Sequence, residues 1–207
     1  MRVVIVGAGG FGHELAEYIC DVYKHSGELS KNILFLDDIK SESEIEGVQI
    51  NKNIDDFTAD EKDVFFVAIG DSSIREAIYK SFKKKNYKFG TLIHPTAYIS
   101  NWANIQEGSI VCPHAIVGFK ASIGENVIIN SNAAIGHHVE IGRSSVICPN
   151  STIAGNAKLG SSTFIGSNAV ISPGKLVGNN ASVSAGSVVY RNVKLNKLAV
   201  GNPAKVK

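Results

Sequence analysis

Hydrophobic positions along this 207-residue chain follow two different rules. Up to about residue 90, apolar runs and amphipathic stretches alternate. "RVVIVGAGG" reads as a buried strand ending in glycines. "FGHELAEYICDVYK" has helical spacing, with Leu15, Ile19 and Val22 on one side. "NILFLDD" and "DVFFVAIG" are two more buried-strand runs, and "SSIREAIYKSFKKK" is a second amphipathic helix. Strand, helix, strand, strand, helix is the order of a small parallel α/β unit.

From about residue 92 the period becomes six. Starting at Ile93 and stepping by six, every position to Leu195 is aliphatic: Ile99, Ile105, Val111, Val117, Ile123, Ile129, Ile135 and onward. Two residues earlier sits something small, as at Ala115, Ala121, Ala133, Ser145 and Ser151, and glycine often follows the aliphatic residue, as at Gly118, Gly136 and Gly142. Six fits neither a 3.6-residue helix nor simple alternation. It predicts a parallel β-helix, each hexapeptide being one short strand and one tight turn, with aliphatic and small residues stacked inside. The expected division is therefore 1–90, α/β, and 91–207, β-helix with a short C-terminal tail.

Composition narrows the function classes. The charge of +2 is too balanced to announce nucleic acid or an acidic membrane. Cys20, Cys112 and Cys148 form no CxxC pair and read as reduced thiols of a cytoplasmic protein. No apolar stretch approaches a membrane span, and the first strand runs straight into a glycine turn, unlike a signal peptide. "GAGGFG", residues 7–12, is a strand-to-helix turn able to cradle phosphate. A nicotinamide dinucleotide is disfavoured, because Asp37 and Asp38 stand further from that turn than the usual ribose-binding acid.

The six-residue repeat resembles the left-handed parallel β-helix of the hexapeptide acyltransferases, in which three hexapeptides form one triangular coil. Positions 18 apart then stack. His114, Asn132, Asn150 and Asn168 fall in one corner column, where stacked asparagines are expected to hydrogen-bond. His137 falls between Phe119 and Gly155, which predicts an open groove beside its ring. The order "VIVGAGGFGHE", "FLDD", "VAIGDSSIR", "LIHPTAYIS" and "AVGNPAKV" is similar over nearly the whole chain to the bacterial nucleotide-sugar acetyltransferases. That group includes UDP-4-amino-sugar N-acetyltransferases and sialic acid O-acetyltransferase-like proteins.

The resemblance implies a homotrimer that moves an acetyl group from acetyl-CoA to the amino group, at C4, of a UDP- or dTDP-linked amino-dideoxy sugar, in glycan or lipopolysaccharide precursor synthesis. Its nucleotide-sugar contacts fall on Gly9, Gly10, Phe11, Asp37, Asp38, Gly70 and Ser73, and its acyl-CoA contacts on Val146, Gly155, Ser167 and Ala185. Its catalytic base falls on His137. A histidine titrates near neutral pH, so it can take the proton an attacking amine must lose. His138 stands where relatives often have Glu or Asp; Glu140 and Glu125 are the nearby acids that would otherwise support the base. O-acetylation of sialic acid and a non-catalytic nucleotide-sugar-binding trimer are the competing functions. A zinc site recruiting His94, His114, His137 and His138 is disfavoured, because zinc needs three converging ligands with outer support. No metal is expected.

Overall fold

The computed structural model describes residues 1–23 and 32–207. Lys24, the last residue of the first helical run, lies outside the described residues. The chain begins with β1 (Arg2–Val6), α1 (Gly10–Tyr23) and β2 (Ile33–Leu36). A short hairpin follows, β3 (Glu44–Ile45) and β4 (Val48–Asn51), then β5 (Asp63–Val67) and α2 (Ser72–Lys84). The strands form one sheet in the order β3-β4-β2-β1-β5. β1 pairs in parallel with both β2 and β5, as their continuous apolar runs require when both faces are covered. The hairpin is the element the hydrophobic pattern missed: two inward residues, Val48 and Ile50, make too short a run to stand out.

The remainder is a parallel β-helix. Its short strands form three flat faces and pair in parallel with copies one coil away, as Val117 with Ile135 and Ile123 with Ile141, until the last, Lys205–Val206, which pairs antiparallel with Leu198–Val200. The six-step aliphatic residues stack inside with the small residues, most with less than 5% of their surface exposed. Inward serines donate to carbonyls of the next corner, Ser109 to Gly124 at 2.8 Å and Ser145 to Gly160 at 3.0 Å, so none is buried unpaired. The corner columns hold left-handed backbone. His114, Asn132, Asn150 and Asn168 have φ of 58–60°, and Lys120, His138 and Asn156 of 55–61°. Asparagine recurs there because it tolerates that conformation at little cost. The bonds along the predicted asparagine column are made by backbone, Asn132 N–H to Pro113 O and Asn150 N–H to Ser131 O, rather than by stacked amides.

The period of six breaks at the end. Leu195 is 61% exposed, and Val193, 2% exposed, takes the inward place instead. Val193 pairs with Val177, and Ala199 with Val183, each 16 residues apart, so this coil is two residues short.

The three faces differ in outward chemistry. One presents Leu92, Ile110, Ile128 and Val146, all buried beneath the N-terminal domain in a single apolar cluster with α1 and β2. The second presents Tyr98, Ile116, Ala134, Thr152, Val170 and Val188 to the outside. The third is polar, with Asn104, Ser122, Glu140 and Lys158, the last two joined at 2.7 Å. We call these the docked, apolar and polar faces.

The two helices clamp the docked face along its edges. Asp21 of α1 meets His94 at 3.1 Å at the corner leading to the apolar face. On the opposite corner α2 lies along the coils: Ser72 Oγ donates to Ser162 O at 3.1 Å, Glu76 takes Arg143 Nε at 3.0 Å, and Tyr79 donates to Glu107 at 3.2 Å. Lys83 also pairs with Glu107. From Ser72 to Lys83 the helix advances about 16 Å, and three coils at ~4.8 Å advance about 14 Å, so each helical turn meets one coil.

Candidate active site

The predicted nucleotide-sugar residues gather at one edge. Gly9, Gly10 and Phe11 follow β1, Asp37 and Asp38 follow β2, and Gly70 and Ser73 follow β5, and these three strands are parallel neighbours. The carboxyl ends of adjacent parallel strands form the usual ligand crevice of such a sheet. The glycines divide their labour. Gly7 has φ +103°, and a Cβ at Gly12 would lie 2.1 Å from Gly7 O, so these two permit the turn to close on α1. Gly9, Gly10 and Gly70 have open space where a side chain would be.

The paired acids already have partners. Asp37 accepts from Ala8 N at 2.7 Å and from the amides of Ile39 and Lys40, tying the glycine turn to the end of β2. Burial opposes its ionisation, yet these backbone donors prevail and hold its carboxyl below the ordinary value. Asp38 accepts from Asn53 N at 2.6 Å and Ile54 N at 3.0 Å through one oxygen, Oδ1. At the β5 end, Asp71 caps α2 by accepting from the amides of Ser73 and Ile74.

His137 and His138 lie exposed at the corner between the apolar and polar faces. Their Nδ1 atoms are 3.2 Å apart, so one ring donates and the other accepts a single shared proton. His138 stands edge-on to Phe119, which in turn touches Trp102. The expected open groove beside His137 is filled by its own ring: an ideal Cβ at Gly155 would lie 2.5 Å from His137 Cε1 and Nε2. Glycine at 155 is thus the seat of the imidazole. The two candidate supporting acids are engaged elsewhere, Glu140 with Lys158 and Glu125 near Tyr79 across the polar face.

The four predicted acyl-CoA residues do not converge within one chain. Gly155 lies under His137. Ser167 and Ala185 lie one coil apart on the corner between the docked and apolar faces, where Gly186 N–H donates to Ser167 O. Val146 is on the docked face, 2% exposed beneath the N-terminal domain, with no surface left for a ligand. Residues nine apart, such as His137 and Val146, sit half a coil from each other and face different ways.

Two features of the corner escaped the sequence reading. Arg191 continues the column of His137 and Gly155 and lines a 580 Å³ cavity with Tyr190 and Lys205. Lys120, Ser122, His138 and Glu140 line a 520 Å³ hollow on the polar side. The 18-residue register alone would have placed Arg191.

All three cysteines are free thiols; burial pushes Cys112 up to about 12 and Cys148 to about 11, so neither is poised as a nucleophile. Among the described residues no group of three or more His, Cys, Asp or Glu is placed to hold a metal ion, and no helix is long and apolar enough to cross a membrane.

Comparison with known proteins bears on both halves. The family model described as the PglD N-terminal domain matches residues 2–82. Models for the bacterial transferase hexapeptide and for the hexapeptide repeat of succinyl-transferase match residues 120–155 and 157–191. The chain is similar to the acetyltransferase domain of PglB from Neisseria gonorrhoeae FA1090, with 28% identity, 99% of this chain and 98% of that one covered, and a TM-score of 0.91. That domain has also been solved in complex with acetyl coenzyme A. PerB from Caulobacter crescentus, solved with CoA and GDP-perosamine, is 27% identical over 100% of this chain and 97% of its own, with a TM-score of 0.87. WeeI from Acinetobacter baumannii AYE shares the fold, with a TM-score of 0.91 at 24% identity over the whole of both chains.

Proposed function

We propose, for a chain that belongs to the hexapeptide-repeat acyltransferases carrying a PglD-type N-terminal domain, acetyl-CoA-dependent N-acetylation of a nucleotide-linked amino sugar in the cytoplasm. The observation that carries this reading is the His137 ring, seated on Gly155 at an exposed corner of the β-helix and paired with His138. The acceptor is a UDP- or dTDP-linked 4-amino-dideoxy sugar held at the carboxyl edge of β1, β2 and β5.

The chemistry uses this chain's groups as follows. His137 donates its Nδ1 proton to His138, which leaves Nε2 with a lone pair. The acceptor nitrogen attacks the thioester carbonyl carbon and Nε2 takes the proton released as the C–N bond forms. The carbonyl oxygen becomes an oxyanion, suited to a backbone amide of the adjacent turn. Its collapse breaks the C–S bond, and the proton on Nε2 passes to the departing thiolate. No acyl-enzyme is needed.

A homotrimer completes the site. The N-terminal domain covers the docked face, so the corner opposite, which bears His137, is the edge of the prism furthest from its own chain's nucleotide-sugar loops. The apolar face is flanked by two edges, one with His137 and Gly155, the other with Ser167 and Ala185. Packing apolar faces around a three-fold axis brings one edge of each copy against the other edge of its neighbour. The cleft so formed runs along the β-helix from His137 toward Arg191, three coils or about 14 Å away. Arg191 and Lys205 there suit the phosphates of coenzyme A.

The test is release of free thiol from acetyl-CoA with a panel of UDP-, dTDP- and GDP-linked 4-amino sugars. Turnover with one sugar, lowered roughly 10²–10⁴-fold in His137→Ala, is the expected result. Turnover that survives His137→Ala sinks the base, and no turnover with any sugar sinks the N-acetyltransferase.

A further inference from the structure

The most deeply buried charge in the described chain takes no part in the site above. Arg75, on α2, has 0% of its surface exposed, and burial draws its guanidinium down to about 9. Among the described residues no carboxylate meets it. It donates to the carbonyl of Val67, at the end of β5, and to both the backbone and side-chain oxygens of Asn126, at 2.6 Å each. Its Nε is buried with no partner among the described residues. Asn126 is itself fully buried, left-handed at φ +55°, and returns Nδ2 to Arg75 O at 3.4 Å and Ser144 Oγ at 3.0 Å.

Burying a guanidinium without a counter-charge costs several kcal/mol, and hydrogen bonds to neutral oxygens return only part of that. Stability alone therefore gives a weak reason for arginine here. Its partners give a stronger one. Val67 is the last residue before the loop of Gly70, and Asp71 to Ser73 open the helix that carries Arg75. Asn126 belongs to a coil of the β-helix. One side chain joins the two ends of that loop to the body that bears His137.

We propose that Arg75 is a positioning residue, which locks the loop of residues 68–73 to the coil of Asn126 and so holds the acceptor-binding edge in fixed register with the β-helix. The acceptor half of this proposal rests on the N-acetyltransferase reading; the ordering of the loop does not.

The experiment has two readouts on the full-length protein. The first is amide hydrogen exchange across residues 66–76 in wild type, Arg75→Met and Arg75→Lys, without ligands. Arg75→Met is expected to exchange at least tenfold faster there while exchange in the β-helix away from Asn126 is unchanged, with Arg75→Lys between the two. The second, on the sugar that wild type acetylates, is expected to show at least a tenfold rise in acceptor KM in Arg75→Met, with the acetyl-CoA KM unchanged. If Arg75→Met fails to fold, Asn126→Gly serves in its place: it suits the left-handed turn and keeps Arg75's backbone acceptor, while removing the Oδ1 acceptor together with the Nδ2 bonds to Arg75 O and Ser144 Oγ. Unchanged exchange in both variants overturns the proposal whatever the enzyme's function. Faster exchange with an unmoved acceptor KM overturns its acceptor half. Wild type that acetylates no sugar overturns the functional reading and the acceptor half with it, and the exchange data alone then decide the lock.

Discussion

Replacing Gly155 with alanine tests whether that glycine seats the ring proposed as the base or clears a path for coenzyme A. An ideal Cβ at 155 would lie 2.5 Å from His137 Cε1 and Nε2. Carbon atoms rest about 3.5–4.0 Å apart, so the imidazole must move by about 1 Å or more. The backbone at 155 is not left-handed, and the obstacle is the free end of an exposed side chain. The ring therefore yields cheaply, and stability should change by no more than about 0.5 kcal/mol. A misplacement of about 1 Å in a catalytic group can cost ~10²-fold in rate. The expected outcome is a kcat about 10² lower in Gly155→Ala, with the acetyl-CoA KM and melting temperature unchanged. Adding Gly155→Ala to His137→Ala should cost less than about threefold more, because the single variant acts only through the ring. A Gly155→Ala enzyme within threefold of wild type would refute the seat. So would a loss equal in both backgrounds, or one expressed in the acetyl-CoA KM, which would return Gly155 to the role of clearing space for the pantetheine arm.

Two further outcomes follow from the packing. Val193→Ala should destabilise the protein by about 1–2 kcal/mol, because Val193 fills the inward place of the shortened last coil, whereas Leu195→Ser should stay within about 0.5 kcal/mol; urea unfolding distinguishes them, and the reverse order would restore an unbroken period. Burial opposes ionisation of Glu76, but Lys80, Ser162 and Arg143 outweigh it and hold the carboxyl at about 2, against an ordinary 4.5. That difference sets a ceiling of about 3 kcal/mol, which solvent around the half-exposed Lys80 and Arg143 reduces to about 1–2. Because the folded value is depressed, this stability is fully present above pH 4.5 and is lost as pH falls toward 2. The gap in unfolding free energy between wild type and Glu76→Gln should therefore be largest near neutral pH and shrink between pH 5 and 3; a gap that widens on acidification would contradict the geometry.

The parts of this fold legible in the sequence are those in which one physical constraint repeats. A six-residue coil segment admits one aliphatic and one small inward residue each time, so the period is visible without any other information. It fails where a residue satisfies the pattern by identity alone. Leu195 is aliphatic and in step, yet the coil drops two residues before it and Val193 is buried instead. The glycine turn and the two strand-end acids were legible as a parallel sheet edge. The hydrogen bond by which Ala8 occupies Asp37 was not, because it joins residues 29 apart in the chain. His137 could be set at a corner by counting, but its rotamer decides whether Gly155 is a groove or a seat, and counting is blind to rotamers. Val146 was carried over by resemblance, and the structure puts it on a face that α1 and β2 cover.

On the proposed function, the three faces together explain why one chain would hold both halves of the reaction without bringing them into contact. A prism has as many edges as faces, and this one commits its docked face to the N-terminal domain, clamped along one edge by His94 and Asp21 and along the other by α2. The edge that remains is the one carrying His137. The loops at Gly9 and Gly70 are thereby held rigidly, but on the far side. Lengthening the linker would let a flexible N-terminal domain swing round to its own histidine, at the cost of ordering it again in every catalytic cycle. In the proposed trimer, a docked domain on one face and an exposed apolar face between the two remaining edges would solve the same problem through assembly: each copy's geometry is set once, on folding, and the neighbour supplies what lies out of reach. On this view the buried, unpaired guanidinium of Arg75 belongs with the chemistry although it touches none of it, because a site shared between rigid bodies is only as well aligned as the joints within each of them.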